Sequence, residues 1–142
     1  MRILVLNGPN LNLLGARDEG HYGSLSLKNI EENLISEYPD DSFTFYQSNV
    51  EGELVNKIQS ASTDFEGLII NPGGYSHTSV AIRDALEICK IPKIEVHLSN
   101  LAQREDFRNK TITAQTTNGY ISGFKDFGYS AAVFLLKKLT SQ

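Results

Sequence analysis

The chain has no tryptophan, a single cysteine and a single methionine. It also has no apolar run approaching the ~20 residues that a membrane span requires. Cys89 alone cannot close an internal disulfide or build a cysteine zinc site, which points to a reducing, cytoplasmic setting. An excess of positive charge is missing too. The 13 Lys and Arg against 17 Asp and Glu leave a net charge of −4, so neither nucleic acid nor an anionic membrane is an expected partner. Met1 leads straight into a short apolar stretch, Ile3 to Leu6, that stops at Asn7, leaving no room for a secretion signal. What is present is ordinary for a globular protein, with 40% hydrophobic and 21% charged residues. At 142 residues the chain is expected to form one domain over 1–142, burying about two-thirds of its unfolded surface. A (β/α)8 barrel, at about 250 residues, is excluded.

Apolar patterning alternates between strand and helix. Residues 2–8 (RILVLNG) form a continuous apolar run, as a strand buried on both faces should. Leu27, Ile30 and Leu34 then fall at helical spacing behind Ser26, a suitable N-cap. Residues 42–48 alternate like a strand, and Leu54, Val55, Ile58 and Ala61 form a helical stripe with Glu51 and Glu53 in the first turn. GLIIN at 67–71 is a third strand. Val80, Ala81, Ala85 and Ile88 share one face of a third helix, which opens near Ser76 and His77. KIEVH at 93–97 is a fourth strand and Tyr120 to Gly123 a weaker fifth. A last helix carries Ala131, Ala132, Leu135, Leu136 and Leu139. Five strands alternating with helices imply an α/β fold, a mostly parallel sheet covered on both faces, for which 2-1-3-4-5 is a common order. Ligands bind such sheets beyond the carboxyl ends of the strands.

Those ends hold the polar residues. Strand 1 delivers Asn7 and a long loop carrying Asn10, Arg17 and Tyr22, a length typical of lids. Strand 3 delivers Asn71 and PGGYSHT; strand 4 delivers His97, Leu98 and Ser99, followed by Arg104 and Arg108. Two of the three histidines and two of the four prolines gather at this edge, which is rich in donors and poor in acids. That suits a small anionic or polyhydroxylated ligand. Each residue has a plainer reading: Tyr22 as a packing residue, Arg17 and Asp84 as solvated charge, His97 as an edge-of-core histidine. Their convergence is what counts. No GxGxxG or GxxxxGK[ST] run marks a nucleotide site, and no GxSxG elbow marks a serine hydrolase. Two histidines without acidic neighbours make a poor zinc centre.

Longer blocks carry more information: NGPNLNLLG at 7–15, Arg17 with Tyr22-Gly23, QSNVEGEL at 47–54, NPGGYSHTSVAIRDAL at 71–86, EVHLSN at 95–100, REDFR at 104–108 and Gly128-Tyr129. Together they resemble the type II 3-dehydroquinate dehydratases over essentially the whole chain. The resemblance implies a flavodoxin-like fold and an anti elimination of water from 3-dehydroquinate through an enolate, giving 3-dehydroshikimate in the shikimate pathway. It implies no metal and no cofactor, and a dodecamer of four trimers. It makes Tyr22 the base, Arg17 its support, His97 the acid, and Asn10 the holder of a water or polar group at the enolate. Asn71, His77, Leu98, Ser99 and Arg108 would hold the substrate. Asp84, seven residues along the third helix from His77, would complete a neighbouring subunit's site. None of the lysines (28, 57, 90, 93, 110, 125, 137, 138) falls in the Arg17–Tyr22, Asn71–Thr78 or His97–Ser99 segments, so Schiff-base chemistry has no candidate. The alternative from another class is a non-enzymatic flavodoxin-like binding or assembly module.

Overall fold

The computed structural model describes residues 1–16 and 26–142. Five strands, β1 (Arg2–Asn7), β2 (Ser42–Gln47), β3 (Gly67–Asn71), β4 (Lys93–His97) and β5 (Gly119–Ser122), form one sheet in the order β2-β1-β3-β4-β5. Every neighbouring pair is parallel. Four α-helices lie among the described residues: α1 (Leu27–Glu37), α2 (Glu51–Asp64), α3 (Val80–Ile88) and α4 (Phe127–Thr140). The expected flavodoxin-like α/β order is the one found.

Alternation along the strands sorts the core into two layers. Ile3 and Val5 of β1 and Ile69 of β3 pack with Ile30 and Leu34 of α1 and with Tyr129, Ala132, Val133 and Leu136 of α4. Leu4 and Leu6 of β1, with Leu68 and Ile70 of β3, face the other way. They meet Leu54, Ile58 and Ala61 of α2 and Ile82, Ala85 and Leu86 of α3. The central strands are therefore apolar on both faces, which is why they read as unbroken runs. Helix α1 starts where expected, Ser26 Oγ accepting from Asn29 N at 3.2 Å.

Two helix faces differ from the expected ones. Of Val80, Ala81, Ala85 and Ile88 only Ala85 is buried; Val80 and Ile88 are exposed, and Ile82, Leu86 and Cys89 take the core side. Helix α3 carries two apolar stripes, and burial selects the one without Asp84, whose carboxylate would be costly to desolvate. On α4 the core stripe is Tyr129, Ala132, Val133 and Leu136, and Ala131 and Leu135 turn outward. The third helix also opens later than expected. Gly73–His77 is a 3-10 turn, and α3 begins at Val80 with Ser79 Oγ accepting from Ile82 N at 2.9 Å. His77 and Asp84 thus do not share a helix, and helical arithmetic does not relate them.

Candidate active site

The carboxyl ends of β1 and β3 meet backbone to backbone. Asn7 and Asn71 are register partners, and Gly8 N donates to Asn71 O at 2.8 Å. A Cβ on Gly8 would stand 2.4 Å from the Pro72 carbonyl oxygen, so no side chain fits there. Gly73 has φ 62°, and a Cβ there would stand 3.0 Å from the Pro9 carbonyl oxygen. Asn10 itself is left-handed, φ 69°, held by its N–H on Asn49 Oδ1 at 3.0 Å and its carbonyl accepting from Leu13 N at 3.0 Å. The NGPN and NPGG segments form one interlocked corner.

This corner walls a cavity of about 110 Å³. Its lining brings together Asn10, Asn71, His77, the run His97 to Ser99, and Arg108, from separate stretches of the sequence. The deepest feature behind it is a carboxylate. Glu95, fully buried on β4, sits on the same strand face as His97, two residues on. Its Oε2 accepts from His97 Nε2 at 2.7 Å and from Ser76 Oγ at 2.8 Å, and its Oε1 accepts from Thr113 Oγ1. Three donors are what allow an acid to persist in such a place. A carboxylate can only accept, so His97 Nε2 carries hydrogen and the transferable position is Nδ1. Such an acid–imidazole pair fixes ring orientation and tautomer, as in other proton-transferring sites. The expected scarcity of acids at this edge is corrected accordingly: the histidine does have an acidic partner, hidden inside the strand. Among the described residues, no group of three or more His, Cys, Asp or Glu side chains converges as metal ligands.

His77 plays a different part. Its Nδ1 donates to the Lys110 carbonyl at 2.8 Å, which leaves Nε2 an acceptor that is buried without a partner. Burial, with the neighbouring His97 and Arg108 charges, pushes its pKa below the ordinary 6.5 although the Lys110 carbonyl pulls upward. A neutral ring presenting Nε2 suits a ligand hydroxyl. Below pH 6.5 the unfolded chain binds more protons at this group than the folded protein does. His77 therefore takes stability away as pH falls through its folded midpoint and costs nothing at higher pH. An NMR titration of the His77 ring is expected to give a midpoint below 6.5. A midpoint at or above that value would show a solvated ring.

Two arginines close the rim. Arg108 is pinned by Nε on Glu105 Oε2 at 2.5 Å and lies against the Phe107 ring, its charge centre 5.1 Å from the ring centroid. That contact is the main cause holding the exposed Glu105 carboxyl below the usual range. Arg104, more deeply placed, donates from Nη1 to Ser99 Oγ at 3.3 Å and also lines the cavity. Leu98 and Ser99 direct their carbonyls to groups off the cavity wall, Lys125 N at 2.9 Å and Ser122 Oγ at 3.0 Å.

Asp84 is not part of this cavity; its side chain is 57% exposed and pairs with Arg83 Nη1 at 3.2 Å. Arg17 and Tyr22, with the lid reading of their loop, lie outside the described residues. Sequence reasoning gave no role to Glu95, Ser76, Thr113 or Arg104. The signal for Glu95 was available, an acid two residues before a histidine in a short strand between Ile94 and Val96. Thr113 had none.

Comparison with known proteins agrees with this geometry. The family model for class II dehydroquinases matches residues 1–137. A 3-dehydroquinate dehydratase of Wolinella succinogenes is 43% identical over 144 residues, covering 100% of this chain and 87% of that protein. One from Thermotoga petrophila is 46% identical over 141 residues, covering 97% and 96%. Among solved structures, a type II dehydroquinase from Butyrivibrio crossotus superposes with a TM-score of 0.91 at 45% identity, covering 96% of this chain and 97% of its own.

Proposed function

The chain belongs to the class II dehydroquinase family, and from that membership we propose how its residues remove water from 3-dehydroquinate. The product is 3-dehydroshikimate, on the shikimate route to chorismate and the aromatic amino acids. Tyr22, as phenolate, takes the proton from the carbon beside the ketone. The released electron pair moves onto the ketone oxygen as an enolate, which Asn10 stabilises through a water or polar group, with Arg17 supporting the base. The enolate then re-forms the carbonyl and expels the hydroxyl on the β carbon, which leaves as water with the proton from His97 Nδ1. The elimination is anti, with base and acid on opposite faces. Nothing in these steps calls on a metal or cofactor. The observation that carries the assignment of His97 is its 2.7 Å bond to buried Glu95 at the cavity wall.

Binding follows from the lining. Arg108 offers a guanidinium to the substrate carboxylate, His77 Nε2 accepts from a hydroxyl, and Asn71 with the Leu98 and Ser99 amides holds the remaining oxygens. The whole chain, 1–142, works as a single catalytic domain. No described helix is long and apolar enough to cross a membrane, and with its lone cysteine the chain suits a cytoplasmic enzyme. The reading as a non-enzymatic module has no observation in its favour. Incubating the purified protein with 3-dehydroquinate is expected to raise the ultraviolet absorbance of the conjugated enone. No rise across neutral pH would overturn the proposal.

Asp84 belongs to the assembly, a dodecamer of four trimers in which it reaches a neighbour's site. Its exposure on α3, apart from its own cavity, supports that reading. Asp84→Ala is expected to weaken activity. Mixing it with Tyr22→Phe chains and reassembling should restore some, because hybrid interfaces pair an intact Tyr22 with an intact Asp84. Hybrids proven mixed by native mass spectrometry yet no more active than either parent would remove Asp84 from the site.

A further inference from the structure

Behind the cavity wall lies a hydrogen-bonded chain that the reaction itself does not use. Tyr129 on α4 is fully buried, and its hydroxyl sits between the ends of β1 and β3. It donates to Asn7 Oδ1 at 2.6 Å and accepts from Asn71 Nδ2 at 3.2 Å. Burial pushes this phenol far above its ordinary pKa, so it keeps its proton at any working pH. A phenol has one proton to give, and the short bond to Asn7 uses it. Its oxygen can then only accept, so the amide edge of Asn71 that meets it must be the NH2.

The other edge of Asn71 agrees. Its Oδ1 accepts from Gly73 N at 3.1 Å. Rotating the carboxamide by half a turn would set NH2 against the Gly73 N–H and oxygen against a hydroxyl with no proton to spare. A carboxamide is nearly symmetric in shape, so packing alone would not choose between the two orientations. Asn71 is on the cavity wall; Tyr129 and Asn7 are not. We propose that Tyr129 is a positioning residue for the dehydration, fixing which amide atom Asn71 presents to the substrate. This rests on Asn71 being a substrate contact, as proposed above. What remains to Asn71 is one N–H and one lone pair, in a set arrangement suited to a hydroxyl that both gives and takes.

The test is a double-mutant cycle on kcat/KM, read alongside urea unfolding. Tyr129→Phe strands two buried polar groups and leaves the amide held at its Gly73 edge alone, and is expected to lower kcat/KM about tenfold to a hundredfold, mostly through KM. Asn71→Ala should lower it by at least as much, and the pair no further than Asn71→Ala alone. Asn7→Ala approaches the same point from the other side. Without its acceptor, the Tyr129 hydroxyl competes with Gly73 N–H for Asn71 Oδ1 and the amide is less firmly oriented, so this variant should lose affinity in the same direction. It carries the test if Tyr129→Phe does not fold. If Asn71→Ala leaves kcat/KM unchanged, the substrate contact proposed above fails. If Asn71→Ala is impaired but Tyr129→Phe has no effect, or multiplies its full factor onto it, Tyr129 is structural and the inference fails.

Discussion

Replacing His97 with alanine is expected to lower kcat by about 10²- to 10⁴-fold while leaving product affinity within a few-fold of the wild type. The imidazole is a proton donor whose geometry is fixed from behind: Glu95 and Ser76 occupy Nε2, at 2.7 and 3.3 Å. Expulsion of hydroxide without a proton is a transition-state cost, so the loss belongs in kcat rather than in binding. Glu95→Gln should show a smaller loss, about tenfold or more, because an amide can present N–H to the ring and reverse its tautomer. Stopped-flow measurement of both variants, with product titrations, checks the pair. A His97→Ala enzyme with near-normal kcat would hand the acid role to another group.

Tyr22→Phe is expected to be at least as damaging, again about 10²- to 10⁴-fold in kcat with substrate and product still bound. An ordinary tyrosine, near 10, is almost wholly protonated at neutral pH, so a base of this kind needs positive charge beside it. If Arg17 supplies that charge, Arg17→Ala should move the basic-side activity requirement to higher pH as well as slowing turnover. Arg17→Lys should recover only part, since an ammonium lacks the planar fork of a guanidinium. An unshifted pH–rate profile in Arg17→Ala would confine Arg17 to contact with substrate.

The sheet was legible because β1 and β3 are apolar on both faces and β4 is buried along its whole length, which leaves few other readings for runs such as GLIIN and KIEVH. Helix faces were less so. In α3 two apolar stripes compete, and the desolvation cost of the charges beside one of them, Asp84 and Glu87, favours turning the other inward. At the site, the residues that face the ligand stood out as polar groups at strand ends. Those that stand behind them did not, for a physical reason. Ser76, Thr113 and Tyr129 arrive at Glu95 and at the asparagine pair from segments that only the folded topology brings near. Glu95 is the exception, placed beside His97 by strand periodicity alone.

The bond from Tyr129 to Asn7 spans 122 positions of the chain, nearly its whole length. Its two ends are made at opposite ends of synthesis. On the ribosome, β1 to β4 can emerge and pair before α4 has left the exit tunnel, but Asn7 and Asn71 then lack the hydroxyl that orients them. A nascent chain could thus hold most of its sheet without a competent pocket. Activity would appear in one late step, when the last helix docks, and a chain shortened before Tyr129 would not merely be less stable but would be assembled without its alignment.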